Sequence, residues 1–271
     1  MAVKKYAKYR MSSFFDIAAT TYDNTFTNTK IGKAQREKVY RNLQSIFLTS
    51  EKLTILEVNC GTGEDALEFD KRNHKVVATD ISENMVEIAK HKGKNTHVDF
   101  HVLDCNALSE HPVSKSKYDI IFSNFGGLNC LSYKEMQDFI QATAGLLKPS
   151  GKLIMVLMPK NCFWERLYFS IKGNFKNATR RNTNDAVSVN VDGTKVPTWY
   201  YNPKDIMLMK NKKFSLVKYI PIGISVPPSY LEKSFITKFP IWNIIYTVEK
   251  YIHFGFLAKY ADHFLIELQK R

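Results

Sequence analysis

The chain has 271 residues, 44% of them hydrophobic, which is enough to bury a large core and to form one domain with insertions. Its formal net charge of +13 at pH 7 would suit an anionic partner such as a nucleic acid. The lysines are spread along the whole sequence, however, and no arginine–aromatic cluster marks a nucleic-acid surface. The charge therefore predicts a basic surface, and it does not favour a nucleic-acid partner.

The cysteines are too scattered to form a CxxC metal site, and their pattern is typical of free thiols in a reducing compartment. No apolar run follows the basic residues 1–10, so a secretory signal is not expected. We therefore expect a cytoplasmic protein with no bound metal. The cysteines are Cys60, Cys105, Cys130 and Cys162.

Two amphipathic helices are predicted ahead of the first strand, between about residues 12 and 47. The polar residues 25–30 between them would allow a lid to hinge. The apolar stripes of these helices contain Phe14, Phe15, Ala18, Ala19 and Tyr22, and then Val39, Leu43, Ile46 and Phe47.

A strand buried on both faces is predicted at residues 53–58, which form a continuous β-branched and leucine run. Gly61 and Gly63 follow, and a helical pattern begins at Glu64. This arrangement predicts a nucleotide-binding loop, because backbone N–H groups are open there and glycine lets a ligand approach the main chain. Residues 61–66 also fit the dinucleotide pattern Gly-x-Gly-x-x-Ala. A glycine turn with no ligand is the alternative.

The charge of this loop favours a ligand without phosphates. Glu57, Glu64 and Asp65 would raise the energy of a pyrophosphate placed among them. S-adenosylmethionine (SAM) has no phosphate and carries a sulfonium and an ammonium group. The acidic loop therefore favours SAM over NAD.

Strands and helices alternate along the next hundred residues, which predicts a doubly wound α/β sheet. The second and third strands are expected at residues 74–79 and 96–103. An acidic residue ends each of the first three strands, namely Glu57, Asp80 and Asp104. In a parallel sheet these ends lie along one edge, which is where such folds bind ligands.

With these residues in view, the chain resembles the class I SAM-dependent methyltransferases, in which an acid-x-Gly-x-Gly-x-Gly loop follows the first strand. Asn59 stands at the first glycine position, and asparagine tolerates a positive φ. A Leu-Lys-Pro-x-Gly pattern at residues 147–151, before an apolar strand at 152–158, is a second point of resemblance. The resemblance implies a seven-stranded Rossmann-like sheet whose last strand, at 263–268, runs antiparallel between the fifth strand and a sixth at 214–222.

The resemblance also implies SAM as the cofactor. Glu57 and the glycine loop would seat its methionine part, Asp80 would accept the ribose hydroxyls, and Asp104 would bind the adenine amino group beside Ile81. The expected cofactor contacts are Tyr22, Glu57, Asn59, Cys60, Gly61, Gly63, Asp80, Ile81, Asp104, Cys105, Ser123 and Asn124.

The methyl acceptor is expected after the fourth strand, at residues 123–130. Enzymes that methylate base amino groups carry an Asn/Asp/Ser-Pro-Pro-aromatic run there, and this chain has Ser-Asn-Phe-Gly-Gly. No proline precedes Cys105 or Cys130, as it would in a nucleophile that attacks a pyrimidine. We therefore expect a small-molecule acceptor, apolar or aromatic, methylated on oxygen or nitrogen by direct displacement. An RNA methyltransferase and a non-catalytic SAM-binding or scaffold protein are the alternatives.

The expected organisation is one methyltransferase domain over residues 1–271. It contains a helical cover at 1–50, a SAM-binding core at 51–160, and substrate-covering insertions at 161–201 and 223–262. In the first insertion, Asp192-Gly193 predicts a hairpin turn.

The second insertion is unusually aromatic. Its side chains could pack on the sheet, line an acceptor pocket or lie at a membrane surface, and we expect most of them to pack on the sheet. Interrupting charges argue against a transmembrane helix.

Acceptor contacts are expected from both insertions and from the loop after the fourth strand. His263, just before the last strand, is the candidate general base because histidine titrates near neutral pH, with a structural role as the alternative. The expected acceptor contacts are Phe26, Phe125, Asn129, Trp164, Arg180, Tyr200 and Tyr230.

Overall fold

The computed structural model describes residues 14–191 and 193–271. Its strands are β1 (Thr54–Val58), β2 (Lys75–Asp80), β3 (Asp99–Val102), β4 (Tyr118–Ser123), β5 (Leu147–Leu157), β6 (Val187–Val191), β7 (Thr194–Thr198), β8 (Phe214–Ile222) and β9 (His263–Lys270).

Seven of these strands form a central sheet in the order β3-β2-β1-β4-β5-β9-β8, while β6 and β7 form a separate hairpin. The pairs from β3 to β5 are parallel, and β9 is antiparallel to both β5 and β8. The predicted doubly wound sheet with an antiparallel last strand is confirmed. The order of strands reverses between β1 and β4, so a crevice opens at their carboxyl ends.

Helices cover both faces of the sheet. They are α1 (residues 14–22), α2 (Lys30–Asn42), α3 (Gln44–Phe47), α4 (Glu64–Lys71), α5 (Glu83–Lys92), α6 (Tyr133–Leu146), α7 (Phe163–Ile171), α8 (Phe175–Ala178), α9 (Pro203–Met209) and α10 (Ile241–Tyr251). A π-helical turn, Asp23–Thr27, follows α1, and short 3-10 turns occupy Cys105–Ala107, Pro112–Lys115, Gly127–Cys130, Ser229–Leu231, Phe235–Thr237 and Gly255–Tyr260.

Alternate residues of the central strands enter two separate cores, because successive side chains of a strand point to opposite faces. Leu56 of β1 and Ile121 of β4 belong to the core under α6. Ile55 and Phe122 belong to the core under α4 and α5. Burial of each such side chain contributes roughly 1.5–3 kcal/mol, and together they hold the loops at the carboxyl edge in place.

Local signals placed most element boundaries well. Ser132 and Glu135 form the expected capping box of α6, and Ser82 caps α5 through the backbone N–H of Met85. The main difference is β5, which begins at Leu147 and not at residue 152. Leu147 already pairs with Tyr118 before a shift in the register of β4 and β5. Residues 1–13 of the predicted cover and Asp192 of the predicted hairpin turn lie outside the described residues.

The expectation that most aromatic side chains of residues 223–262 pack on the sheet is wrong. Phe235, Phe239, Tyr251, Phe254 and Phe256 are all exposed, with 75% of Tyr251 accessible to solvent. Trp242 and Tyr246 of α10 do pack inward against a small core, and a buried carboxylate of the same helix accepts backbone hydrogen bonds there. None of the helices in the described part of the chain has the length and hydropathy that a bilayer crossing requires.

Candidate functional site

The glycine loop after β1 has the geometry of a ligand-binding turn. Asn59, Gly61 and Gly63 all adopt positive φ, of 58°, 53° and 84°. A Cβ at Gly63 would lie 2.9 Å from the Cβ of Ala89 on α5, so only glycine lets these segments approach so closely. Asn59 takes the left-handed conformation that asparagine tolerates, and the loop keeps its turn without the first glycine.

Asp80 joins the end of β2 to this loop. Its Oδ2 accepts a hydrogen bond from Gly61 N at 2.8 Å, and its Oδ1 accepts one from Ser82 N at 3.0 Å. Burial raises the pKa of Asp80, while these two hydrogen bonds oppose the rise. A carboxylate has room for about four hydrogen bonds, so Asp80 can still accept from a ligand hydroxyl.

Two buried groups of opposite charge beside the loop have unused hydrogen-bonding capacity. Glu57 is 1% exposed, and its Oε2 has no hydrogen-bond partner among the described residues. Burial, with the neighbouring charges of Asp65 and Asp80, raises the pKa of Glu57 well above its usual value. Arg36 of α2 forms an ion pair with Asp65 across 2.6 Å, yet its Nε lacks a partner in the described part of the chain. Buried polar groups are nearly always paired, so these two atoms indicate a ligand position.

The segment after α1 lies over the loop. The Tyr22 ring approaches to within 3.8 Å of the position that a Cβ at Gly61 would take. Thr62 Oγ1 donates to Asp23 Oδ1 at 2.6 Å, and Lys92 Nζ donates to Asp23 Oδ2 at 3.0 Å. Burial raises the pKa of Tyr22 to about 12, so its hydroxyl is neutral at physiological pH.

A cleft beside the glycine loop is lined by several of these groups. It brings together six of the predicted site residues, Tyr22, Asn59, Cys60, Gly61, Asn124 and Phe125, with Arg36, Thr62, Glu64 and Asp65. The predicted Phe26 contacts Phe125 edge-on, with ring centroids 4.8 Å apart. Arg36 is the residue that sequence reasoning missed. No motif marks it, because it lies on a helix that precedes the glycine loop and reaches the loop only through packing.

The remaining predicted cofactor residues lie along the same edge of the sheet. The hydrogen bond from Leu103 N to Asp80 O holds the chain after β3 beside the end of β2. Asp104 is the next residue after Leu103, so it lies near this point of the edge. Asp104 accepts a hydrogen bond from Asn106 N at 2.9 Å, and burial raises the pKa of Cys105. Ile81 follows the last residue of β2, and Ser123 is the last residue of β4, at this edge.

Five predicted acceptor residues have structural partners away from the cleft. Asn129 donates to Trp199 O at 2.6 Å and also bonds the backbone of Met158. Trp164 Nε1 donates to Ile224 O, and Arg180 forms a two-point ion pair with Glu165. Tyr200 lies under the guanidinium of Arg181, and Tyr230 contacts the Tyr168 ring. Their roles toward an acceptor stay predictions.

His263 lies behind one wall of the cleft. Its ring contacts Phe125 edge-on at 5.6 Å between centroids, and its Nδ1 lies 3.2 Å from Asp262 Oδ2. Burial alone would raise the pKa of Asp262, but His263 and Arg181 lower it well below its usual value. The histidine is therefore paired with a charged carboxylate and reaches the cleft only past Phe125.

Comparison with known proteins identifies this region. Residues 55–151 match a protein family described as a methyltransferase domain. This part of the chain is a class I SAM-dependent methyltransferase domain. The predicted resemblance is confirmed, and the family match runs from β1 into the first half of β5, the segment where the resemblance was strongest.

Relatives of the methyltransferase domain act on different acceptors. The chain is 38% identical over 122 residues to a malonyl-[acyl-carrier protein] O-methyltransferase of Ilyobacter polytropus, covering 43% of this chain and 41% of that protein. It is 28% identical over 163 residues to a demethylmenaquinone methyltransferase of Lactococcus lactis, covering 57% of this chain and 61% of that protein. The chain thus spans about half the length of these curated relatives.

A solved structure shows the same fold over nearly the full length. The magnesium protoporphyrin IX methyltransferase of Synechocystis PCC 6803, with bound S-adenosylhomocysteine, has a TM-score of 0.59 and 15% sequence identity. The aligned region covers 97% of this chain and 99% of the chain in that structure. At this identity the similarity concerns the Rossmann-like fold of the methyltransferase domain.

Proposed function

We propose that the protein transfers a methyl group from SAM to an oxygen or nitrogen atom of a small apolar or aromatic acceptor. One observation carries the proposal: beside the glycine loop, a buried carboxylate oxygen of Glu57 and a buried guanidinium N–H of Arg36 both lack hydrogen-bond partners among the described residues. A phosphate-free ligand that carries an ammonium and a carboxylate would satisfy both groups, and the methionine part of SAM is such a ligand.

The residues that line the cleft or lie beside it fit the methionine and ribose parts of SAM. Glu57 would face the ammonium, Arg36 the carboxylate and Asp80 the ribose hydroxyls. The rings of Tyr22 and Phe125 line the cleft, and aromatic faces stabilise a neighbouring cation such as a sulfonium. When bound, SAM would supply a methyl group open to in-line displacement. The residues of the chain would bind and orient the two reactants and exclude water from them.

An apolar acceptor suits the walls of the cleft near Phe125. Phe26 and Phe125 form an edge-on pair there, and Gly126 follows with a φ of 75°. The demethylmenaquinone enzyme among the relatives supports an acceptor of this class. We further propose that residues 1–271 form one domain whose segments 1–50, 161–201 and 223–262 cover the site.

His263 is the candidate group for removing a proton from the acceptor. Because Phe125 separates it from the cleft, its contribution requires movement of that ring. A loss of turnover beyond about a hundredfold in His263→Ala supports this role, and a loss below about tenfold removes it.

Calorimetric titration with SAM, S-adenosylhomocysteine and NAD in parallel tests the cofactor. We expect binding of the first two in the micromolar range or tighter, and a loss of about a hundredfold or more in Asp80→Ala. Asp80→Asn, which keeps the shape of the side chain, controls for collapse of the loop, and a melting curve of each variant controls for folding. Binding of NAD alone would contradict the proposal.

The acceptor class is tested with candidate metabolites and mass spectrometric detection of a methyl gain. Methylation of RNA, accompanied by steeply salt-dependent RNA binding, would replace the small-molecule proposal. Tight SAM binding with no turnover on any acceptor class would favour a non-catalytic SAM-binding or scaffold protein.

A further inference from the structure

Helix α10 carries apolar side chains on its outer side as well as on its inner side. Its apolar side chains Ile241, Ile244, Val248 and Tyr251 recur at helical spacing and are exposed. Its acid Glu249 is buried and accepts hydrogen bonds from the backbone N–H groups of residues 223, 225 and 226. The bonds of the Glu249 carboxylate therefore fix the orientation of α10, in which this apolar stripe faces outward.

Helix α7 repeats this arrangement. Phe163, Leu167 and Ile171 are exposed at a spacing of four residues, and Ile171 is 77% accessible. Glu165 is buried and paired with Arg180 and Arg181. Two helices that are far apart in the sequence thus both expose an apolar stripe while a buried acid occupies the inner side.

The two helices share one support. Trp164 and Tyr168 of α7, and Trp242 and Tyr246 of α10, pack against the same small core. That core also contains Ile31 of α2, the helix that carries Arg36 into the cleft. The two helices therefore flank one core, and each turns an apolar stripe away from it. We call these stripes, together with the exposed apolar residues that adjoin the two helices in the sequence, the outer apolar face: Phe163, Leu167, Ile171, Phe175, Phe235, Phe239, Ile241, Ile244, Val248, Tyr251, Phe254 and Phe256.

The charges within this face have a single sign. All four acids within residues 161–178 and 229–262 are buried or half-buried. Glu165, Glu249 and Asp262 are among them, and Glu232 accepts from the backbone N–H groups of residues 30 and 31. The exposed basic side chains in these two ranges are Arg166, Lys172, Lys176, Lys233, Lys238, His253 and Lys259.

We propose that the outer apolar face binds an anionic lipid bilayer. Exposed aromatic and aliphatic side chains partition into the boundary between headgroups and acyl chains, and surrounding basic residues pair with anionic headgroups. Soluble monomers rarely expose apolar patches of this extent without a binding partner. A second copy of the chain fits poorly, because the exposed charges of two such faces would repel each other. The helices lie in the plane of the interface and do not span it, since α10 has 11 residues.

Vesicle flotation with the full chain tests the proposal. The vesicles are phosphatidylcholine alone or phosphatidylcholine with about 30% phosphatidylglycerol. We expect binding to the anionic vesicles, weaker by about tenfold or more on the neutral ones and in about 1 M salt. No binding to anionic vesicles, or equal binding to both kinds, overturns the proposal.

Matched variants separate this face from the rest of the surface. The triple variant Phe235→Gln, Ile244→Gln and Tyr251→Gln should lose about tenfold or more of the binding, because each substitution removes an apolar side chain that would enter the interface. The control triple Ile17→Gln, Leu48→Gln and Leu208→Gln changes equally exposed apolar side chains elsewhere and should bind like the parent. Equal binding by both triples overturns the proposal.

Charge reversal is the second arm. Lys176→Glu, Lys233→Glu and Lys238→Glu together should abolish the preference for anionic vesicles. Lys94→Glu, Lys204→Glu and Lys212→Glu make the same change in net charge at exposed positions outside the face and should retain most of that preference. Light scattering tests the alternative that a second copy of the chain covers the face. A dimer that the triple variant at Phe235, Ile244 and Tyr251 disrupts would show this and would overturn the proposal.

Discussion

The carboxyl edge of the sheet and the outer helices both bury charged groups, but they use them differently. At the glycine loop, Glu57 and Arg36 are buried with atoms that have no hydrogen-bond partner in the part of the chain that the structure describes. In the outer helices, both oxygens of Glu165 accept hydrogen bonds from arginines, and those of Glu249 accept from backbone and serine groups. An unsatisfied buried charge costs free energy unless a ligand pairs with it, whereas a satisfied one fixes the position of a helix.

This contrast explains why the two regions differ in their exposed surfaces. The unpaired atoms of Glu57 and Arg36 can gain hydrogen-bond partners only when a ligand binds. The acids of α7 and α10 already have their partners on the inner side, so the helices cannot turn their apolar stripes inward without breaking those bonds. Changes at the two kinds of acid should therefore have opposite effects on stability.

Glu165→Ala should produce the largest effect. Among the described residues, it leaves the buried Arg181 with Asp262 as its one acidic partner, and we expect the free energy of unfolding to fall by about 3–5 kcal/mol. Chemical denaturation of the purified parent and variant proteins measures this loss of stability. The neighbouring exposed Arg166→Ala is the matched control and should change stability by less than about 0.5 kcal/mol. Equal effects of the two variants would contradict the assignment of Glu165 as an anchor.

Arg36→Gln should weaken SAM binding by about tenfold to a hundredfold, because the methionine carboxylate loses a charge-assisted hydrogen bond. The comparison ligand is 5′-methylthioadenosine, which has the adenosine and sulfur but no amino-acid part. Its affinity should change by less than about twofold, since only the carboxylate contact is lost. If both ligands lose affinity equally, Arg36 acts by shaping the cleft and does not contact the carboxylate. Arg36→Lys, which keeps the charge beside Asp65, controls for folding.

Glu57→Gln should make the ligand-free protein more stable by about 1–2 kcal/mol at pH 7, while weakening SAM binding. The pKa of Glu57 is raised in the folded state, so the folded protein holds a proton that the unfolded chain releases. The stability contributed by this group is therefore present below the unfolded pKa and is lost as the pH rises through the folded pKa. The gain in the variant should shrink toward zero below about pH 4. A variant that is less stable than the parent at every pH would show that Glu57 is paired in the folded protein.

Asp138→Ala should have the smallest effect. Asp138 pairs with Lys134 one turn earlier on α6, and both side chains are more than half exposed. Such pairs contribute less than about 0.5 kcal/mol because water screens them. A larger loss in thermal unfolding would mean that exposed charges also anchor the helices of this protein.

Local chemistry in the sequence was sufficient for the sheet and for the loop. The run at residues 53–58, the glycines at 61 and 63, and the acids after three strands predicted β1, the turn and the edge at which they meet. Capping residues such as Ser132 predicted helix starts, because capping depends on groups within one turn of the chain. These features depend on neighbours in the sequence, and the structure agrees with them.

Tertiary packing decided what the sequence could not. The sequence shows that residues 223–262 are rich in aromatic side chains, but composition does not say which of them face the core, and we expected most of them to pack on the sheet. In the structure, the bonds of Glu249 to the backbone of residues 223, 225 and 226 fix α10 with Trp242 and Tyr246 inward and a second apolar stripe outward. Arg36 likewise has no local signal, because its place in the cleft depends on how α2 packs across the sheet. The sequence by itself determined the elements and the loop chemistry, whereas the orientation of helices over the sheet depended on contacts between residues far apart in the chain.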